Sequence, residues 1–415
     1  MEATFNAFTV ARRLQPSGAR IVISDPPDAP GKTRAIAEAK IKTDKIDARV
    51  LADLLRADYL PAVWLPDPAT QQLRHLLSDR QSDVTRRTEI KNRIHAVLQR
   101  ELLKGNRLFT SKDGEQLLEL LVSERSPLPP EERTRLSLLR RELAHLDELI
   151  AAHEKALASF IVGHAKLHAN LNRLMTVPGV SLVVGAGLLS AIGDVTRFKS
   201  GKQLASYFGL VPSTYQSGNS KAFHGPITKQ GRKLARWLLL EAAEHTIKAP
   251  GPLRAFYLRL KKKRNHNVAK TAVARKMTEI IWYLLTKEED YLYQIPRLTQ
   301  EKQSRVKYLA TGEKAKGGMK KGEPRSEFYG TGLKGRAVKT EVARQAATKA
   351  EEKYAAVVTA RAAGQQTHSP EGDCLIESDF ALDPLRPRAA DWETEIARLH
   401  AEALSRAPKK KIKRT

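Results

Sequence analysis

Two stretches carry side chains of the kind that cut or join phosphate esters. The first is Lys42-Thr43-Asp44-Lys45-Ile46-Asp47. It heads a segment, Ala48-Arg49-Val50-Leu51-Ala52-Asp53-Leu54-Leu55, that reads as a helix. A spacing of three puts Asp44 and Asp47 on one helix face. Thr43 is the expected N-cap, its hydroxyl accepting from an unpaired backbone N–H. Two converging carboxylates suit a hard divalent cation such as Mg2+. The adjacent Lys42 and Lys45 suit a phosphate-bearing substrate. Acidic residues also collect at helix starts simply because they offset the dipole, and spacing alone does not separate the two readings.

The second stretch is Pro212-Ser213-Thr214-Tyr215-Gln216-Ser217-Gly218-Asn219-Ser220-Lys221, followed by Ile227-Thr228-Lys229-Gln230-Gly231-Arg232-Lys233. Residues 212–221 read as a polar loop with little to bury, and such loops in helical surroundings often carry function. Gly218 lets the backbone approach a ligand closely. A serine hydroxyl ringed by Lys221, Lys229, Arg232, Lys233 and Arg236 could attack a phosphodiester while the cations stabilise the developing charge. A Gly/Ser turn without a catalytic role fits the same residues.

Composition favours a polyanionic partner. The 415 residues carry 72 Lys and Arg against 46 Asp and Glu, a formal charge of +26 spread along the chain. Nucleic acid is the default reading, with an anionic membrane surface as its rival. No apolar run is long enough to span a bilayer, and no signal-peptide pattern opens the chain. The single cysteine, Cys374, excludes an internal disulfide and a cysteine-cage zinc site. These features predict a soluble protein of a reducing cytoplasm.

The elements that must position these residues follow from periodicity. Residues 1–14 predict a helix with Phe5, Phe8, Ala11 and Leu14 on one stripe. Residues 19–24 predict one buried strand, residues 25–31 a proline-rich loop, and residues 59–66 an extended segment. A helix is expected around Ala35, and the Asp44 helix should run to about Ala57. One strand cannot make a sheet, so this α/β domain reads as incomplete.

Pro68 to about Leu103 predicts a long helix bearing Arg74, Arg80, Arg86, Arg87, Lys91, Arg93 and Arg100. These form either a solvated basic face or a rail along a nucleic-acid backbone. Residues 114–122 continue helical. From Leu136 to Leu174, apolar positions and two histidines, His153 and His164, recur in steps of three and four, the seam of a coiled coil and a dimerisation surface. The histidines fit polar, register-setting core positions better than metal ligands.

Leu174 to Ala186, with a turn at Pro178-Gly179-Val180, predicts a helix–hairpin–helix unit that aims free N–H groups at a phosphate. Pro-Gly also serves simply to turn a chain. Further helices are expected at 203–208, 234–246 and 268–285, the last with Val273, Met277, Ile280, Ile281 and Leu284 inward. From residue 294 onward the composition predicts a largely disordered basic tail with one short helix around Trp392 to Ala403. The expected domains are 1–66, 67–175, 176–293 and 294–415.

The order of motifs resembles a known family. Residues 35–48, then Pro178-Gly179-Val180, Phe208-Gly209-Leu210-Val211-Pro212, Ser217-Gly218 and Ile227-Thr228-Lys229-Gln230-Gly231 are similar to transposases of the insertion sequence 110 family. The match covers about Glu2 to Tyr291.

The resemblance implies an N-terminal RNase H-like domain, akin to Holliday-junction resolvases, with four acidic residues binding Mg2+. It further implies a coiled-coil linker and a helical C-terminal domain with a nucleophilic serine. Glu2, Asp44 and Asp47 match the second, third and fourth acids, and Ser217 best matches the serine, ahead of Ser220 and Ser213. The family's first aspartate precedes the second acid on a strand, so that aspartate is expected to be missing from a chain that begins Met1-Glu2. A truncated copy or a misplaced start codon would explain this, and three acids should hold metal more weakly than four.

The implied activity is DNA recombination by a homo-oligomer, dimer or tetramer, in a bacterial cytoplasm at the nucleoid. Some members are guided by a structured RNA. The rivals are a resolvase-like nuclease that uses metal-activated water alone, and an inactive remnant that only binds nucleic acid.

Overall fold

A computed structural model describes residues 7–17, 21–24, 43–60, 63–103, 105, 107–218, 223–313 and parts of 345–359. Glu2, Phe5, Lys42, Ser220 and Lys221, the helix expected around Ala35 and the one expected around Trp392 lie outside these residues. The chain divides into two compact units, Met1–Gln72 and Leu73–Thr415. The described residues are mostly helical, with one small two-stranded sheet.

In the first unit, α1 (Ala7–Leu14) buries Ala7 and Ala11 against Ile23. Ile23 accepts a hydrogen bond from the Val63 amide at 2.6 Å, so the expected strand and the expected extended segment meet. Leu14, the last residue of the predicted stripe, is exposed. It is the last residue of α1, beyond the small core, and the chain turns into a short 3-10 helix at Gln15. Helix α2 (Asp44–Arg56) starts as its sequence predicts: Thr43 is extended, and its hydroxyl accepts from the Ile46 amide at 3.3 Å.

The long helix α3 (Pro68–Arg100) and α5 (Pro130–Val162) pair antiparallel, with α4 (Lys112–Val122) packed beside them. Ion pairs define the register: Arg80–Glu154 at 2.6 Å, Arg87–Asp147 at 3.0 Å, Arg93–Glu142 at 3.9 Å and Arg100–Glu132 at 3.0 Å. Numbering rises on one helix as it falls on the other. Between them lie Ile90, Ile94, Val97 and Leu98 from α3 and Leu136, Leu139, Leu143 and Leu146 from α5. The heptad seam is thus filled by α3 of the same chain along this stretch, where a second copy was expected.

The seam is also not continuous. Gly163 ends α5, and His164 opens α6 (Ala165–Met175). His164 is exposed rather than in the core, because it occupies the break between helices. His153 does make a polar contact across the pair, with Nε2 lying 3.2 Å from the buried carboxylate of Asp83.

The rest of the second unit is a helical bundle: α6, α7 (Leu182–Ile192), α8 (Gly201–Tyr207), α9 (Lys233–Thr246), α10 (Pro252–Lys261), α11 (His266–Lys287) and α12 (Pro296–Thr311). Val273, Met277, Ile280, Ile281 and Leu284 are buried, as their spacing predicts. Helix α12 stands where the basic tail was expected to begin. Its Val306 and Thr299 are buried, and Ser159 of α5 donates to the Ala310 carbonyl at 3.2 Å. Composition missed this helix because its face contributes few large apolar residues.

The α6–α7 turn is held from inside. Lys302 of α12 donates to the carbonyls of Met175, Val177 (3.0 Å) and Val180 (2.9 Å). Thr246 of α9 donates to the Pro178 carbonyl at 2.6 Å, and Thr176 accepts from the Tyr291 amide at 2.9 Å. Burial brings the Lys302 ammonium down to about 8. Lys302→Met leaves three carbonyls without their donor, an expected loss of about 2–4 kcal/mol measured by thermal unfolding. From pH 8 to the ordinary lysine value of about 10.4, the unfolded chain holds a proton that the folded one has released. The wild type therefore gains stability relative to the variant as pH rises through that window.

Candidate functional site

The second candidate stretch is built on a backbone interlock. Helix α8 ends at Tyr207, and Gly209 turns the chain in a left-handed conformation (φ 67°). Ile227 to Arg232 folds back over that turn, with Lys229 (φ 55°) and Gly231 (φ 78°) also left-handed. A β-carbon on Gly209 would lie 2.2 Å from the Gln230 carbonyl oxygen, and one on Gly231 2.0 Å from that of Tyr207. Thr228 N–H donates to the Val211 carbonyl at 2.9 Å and Lys229 N–H to the Gly209 carbonyl at 3.2 Å. Arg236 ties both segments, donating to the carbonyls of Phe208 at 3.0 Å and Gln230 at 3.1 Å.

From this root rises a hairpin of β1 (Pro212–Tyr215) and β2 (Phe223–Ile227). Pro212 pairs with Ile227, Thr214 with His224 and Tyr215 with Phe223, with an irregularity between Pro212 and Thr214. Residues 212–215 were expected to be loop. They pair because the interlock brings their ends together, which short polar strands cannot do alone. Ser217 lies on the β1–β2 connection, exposed, just before Gly218 (φ 54°).

Of the predicted basic residues, Lys229 and Lys233 are exposed at the root. Arg232 is exposed at the N-cap of α9, its Nε donating to the Tyr207 hydroxyl at 3.4 Å. Burial alone would raise the Tyr207 phenol, but hydrogen bonds and charge from Arg232 and Arg197 hold it below its ordinary value. Arg236 is half-buried and scaffolds the loop. Arg197 stacks over Phe198 and Tyr207, at 4.3 and 4.6 Å from their ring centres. Nothing in the sequence signals its contact with Tyr207.

On α3, Arg87 and Arg93 pair with α5 carboxylates, Arg86 lies 3.7 Å from Asp83, and Lys91 sits 5.0 Å from the centre of the Phe109 ring. Much of the expected rail is thus matched by carboxylates of its own chain. The left-handed Gly179 (φ 87°) has a packing cause: a β-carbon there would lie 2.3 Å from the Ala242 carbonyl oxygen of α9.

The acidic stretch belongs to the first unit. Lys45 is exposed on α2. Asp47 is half-buried, and its Oδ1 is buried with no hydrogen-bond partner among the described residues. A buried carboxylate oxygen without a donor is costly unless a cation or donor reaches it, so Asp47 fits a metal ligand. Among the described residues no three His, Cys, Asp or Glu side chains converge. Glu2 and the Asp44 side chain are outside that set.

Comparison with known proteins bears on the same two stretches. Residues 171–258 match the family model described as Transposase IS116/IS110/IS902 family. Residues 5–102 match a DEDD-type transposase model of the IS110 group. The transposase for insertion sequence element IS1111A of Coxiella burnetii is 30% identical over 257 residues, 60% of this chain and 68% of that protein. The insertion element IS110 uncharacterized 43.6 kDa protein of Streptomyces coelicolor is 30% identical over 304 residues, 61% of this chain and 73% of its own. A probable family 20 transposase of Pseudomonas aeruginosa is 26% identical over 298 residues, 70% and 84% of the two chains.

The protein is therefore an insertion-sequence transposase, of a class that cuts and joins DNA. It belongs to the IS110/IS116 family.

The interlock makes a graded prediction. Gly231→Ala must displace backbone and hold a strained φ, at an expected cost of at least about 2 kcal/mol in thermal unfolding, with faster proteolysis in the hairpin. Gly218→Ala meets nothing within 4 Å and should cost only its strained φ, about 1 kcal/mol. Equal losses for the two would refute the interlock as the hairpin's anchor.

Proposed function

We propose that the chain is a DNA recombinase in which Ser217 attacks the scissile phosphodiester and the acids of the first unit assist. The observation that carries this reading is how Ser217 is presented. It is exposed on a connection whose root is fixed through backbone contacts at Gly209 and Gly231. In the proposed step, Ser217 Oγ forms a bond to phosphorus and the bond from phosphorus to one sugar oxygen breaks. The serine releases its proton as the departing oxygen takes one up. Lys229, Arg232 and Lys233 neutralise the charge that builds on the phosphate oxygens. Lys221 joins them in this reading.

Glu2, Asp44 and Asp47 would hold Mg2+, the orphaned Asp47 Oδ1 being the feature that favours it. When bound, the ion would polarise a phosphate oxygen and orient attack. Lys42 and Lys45 would steer the backbone toward these acids. We also propose an RNase H-like fold for the first unit and a helix–hairpin–helix role for the α6–α7 turn. A homo-oligomer would bring acids and serine to one strand, at the nucleoid, with a structured RNA as a further partner.

The test uses a supercoiled plasmid carrying the element's ends. Ser217→Ala is expected to abolish both strand exchange and a detergent-stable protein–DNA adduct. Asp47→Asn should slow both by about a hundredfold or more. An adduct that persists in Ser217→Ala removes the serine from the mechanism. Cleavage without any adduct in the wild type would favour the metal-nuclease reading.

A further inference from the structure

The two most exposed aromatic side chains among the described residues are Phe223, 69% exposed, and Tyr215, 68% exposed. They are direct cross-strand partners at the far end of the hairpin. Tyr215 is two residues before Ser217. Single exposed apolar residues need no explanation, but two exposed aromatic residues on directly paired strand positions are different. Phe223 has no polar atom to gain from solvent. Their pairing stiffens the hairpin modestly, which smaller β-branched residues would do with less exposed apolar surface.

The surroundings narrow the partner. Lys229, Arg232 and Lys233 are exposed at the hairpin root, and the chain carries a net charge of +26. Two rings are too small an apolar patch for a protein interface. They match single-stranded nucleic acid, where cations track the backbone and aromatic faces take the bases. We propose that Tyr215 and Phe223 form a stacking platform for unpaired DNA bases flanking the phosphodiester presented to Ser217. The assignment of the phosphodiester rests on the serine reading above. The platform separates a scissile strand from its complement by giving its bases a surface to stack on, which makes both residues positioning residues.

The test measures affinity of the full chain for a mixed-sequence single-stranded DNA and for its duplex, by fluorescence anisotropy over a salt series. The double variant Tyr215→Ala/Phe223→Ala is expected to bind single strands about 10- to 100-fold more weakly, the range for losing base–aromatic stacking. Duplex affinity should change by less than about twofold, with the salt slope unchanged because no charge is lost. Tyr215→Leu/Phe223→Leu keeps an apolar cross-strand pair and must show the same selective loss. Tyr215→Phe/Phe223→Tyr keeps both rings and must keep the affinity.

The proposal is overturned if the alanine pair weakens both DNA forms equally or neither. It is equally overturned if the leucine pair binds like wild type, or if the loss falls on single-stranded RNA and spares DNA. Failure of the serine reading registers separately, as an adduct surviving Ser217→Ala, and leaves the binding comparison intact.

Discussion

The serine-bearing hairpin depends on a contact between two backbones with no side chain between them. Gly209 and Gly231 each lie so close to the opposing main chain that a β-carbon would fall within 2.2 Å of a carbonyl oxygen. Side-chain packing fixes a loop to within the play of its rotamers, whereas main chain against main chain leaves less freedom. The hydrogen bonds from Thr228 and Lys229 close the ring, and Arg236 ties both halves with one guanidinium nitrogen. Chemistry at a phosphodiester is dominated by positioning. A root fixed in this way, with Ser217 exposed above it, would supply that positioning to the proposed serine.

The same economy shapes the electrostatics. A formal charge of +26 would repel itself if spread uniformly along the helices. On α3 it does not, because Arg80, Arg87, Arg93 and Arg100 each face a carboxylate of α5. An exposed pair contributes little stability, at most about 1 kcal/mol. Four in register nonetheless select one antiparallel alignment, since a shifted helix would set arginines against the wrong residues. Neutralising α3 also leaves more of the basic excess to other surfaces, among them the exposed Lys229 and Lys233. Charge that looks continuous in sequence is divided by folding into structural and available parts.

Local signals were legible, and long-range ones were not. Thr43 capping α2 and the inward stripe of α11 follow from nearest neighbours and periodicity, so the chain text contains them. The heptad spacing from Leu136 marked a seam, but a seam does not say whether its partner lies in another chain or in α3. Gly163 could have announced the break at His164, had its low helix propensity been weighed against the unbroken spacing. In sequence the hairpin reads as loop because β1 and β2 are short and polar, and their pairing comes from the glycine interlock. Lys302 reaching across to the α6–α7 turn left no trace in sequence, since a lone lysine in a polar helix looks solvated. For the candidate site, residue types and order were legible, whereas the roots of Ser217 and the exposure of Tyr215 and Phe223 required three dimensions.

A transposase must rejoin what it breaks, and this bears on how serine and acids divide the labour. Attack by water releases a free phosphate terminus, and the energy of the phosphodiester is lost with it. The proposed ester to Ser217 would retain that energy, so the reverse reaction with a different sugar hydroxyl would complete strand transfer without fuel. Such an ester is useful only while water is kept from it and the broken end is kept from rejoining its old partner. A fixed hairpin root answers the need for position. The proposed aromatic platform would answer the need to hold a strand away from its complement. Carboxylates with a metal could speed either chemistry, which is why Asp47 alone does not distinguish cutting by water from cutting by serine, and why the proposed serine role rests on the hairpin.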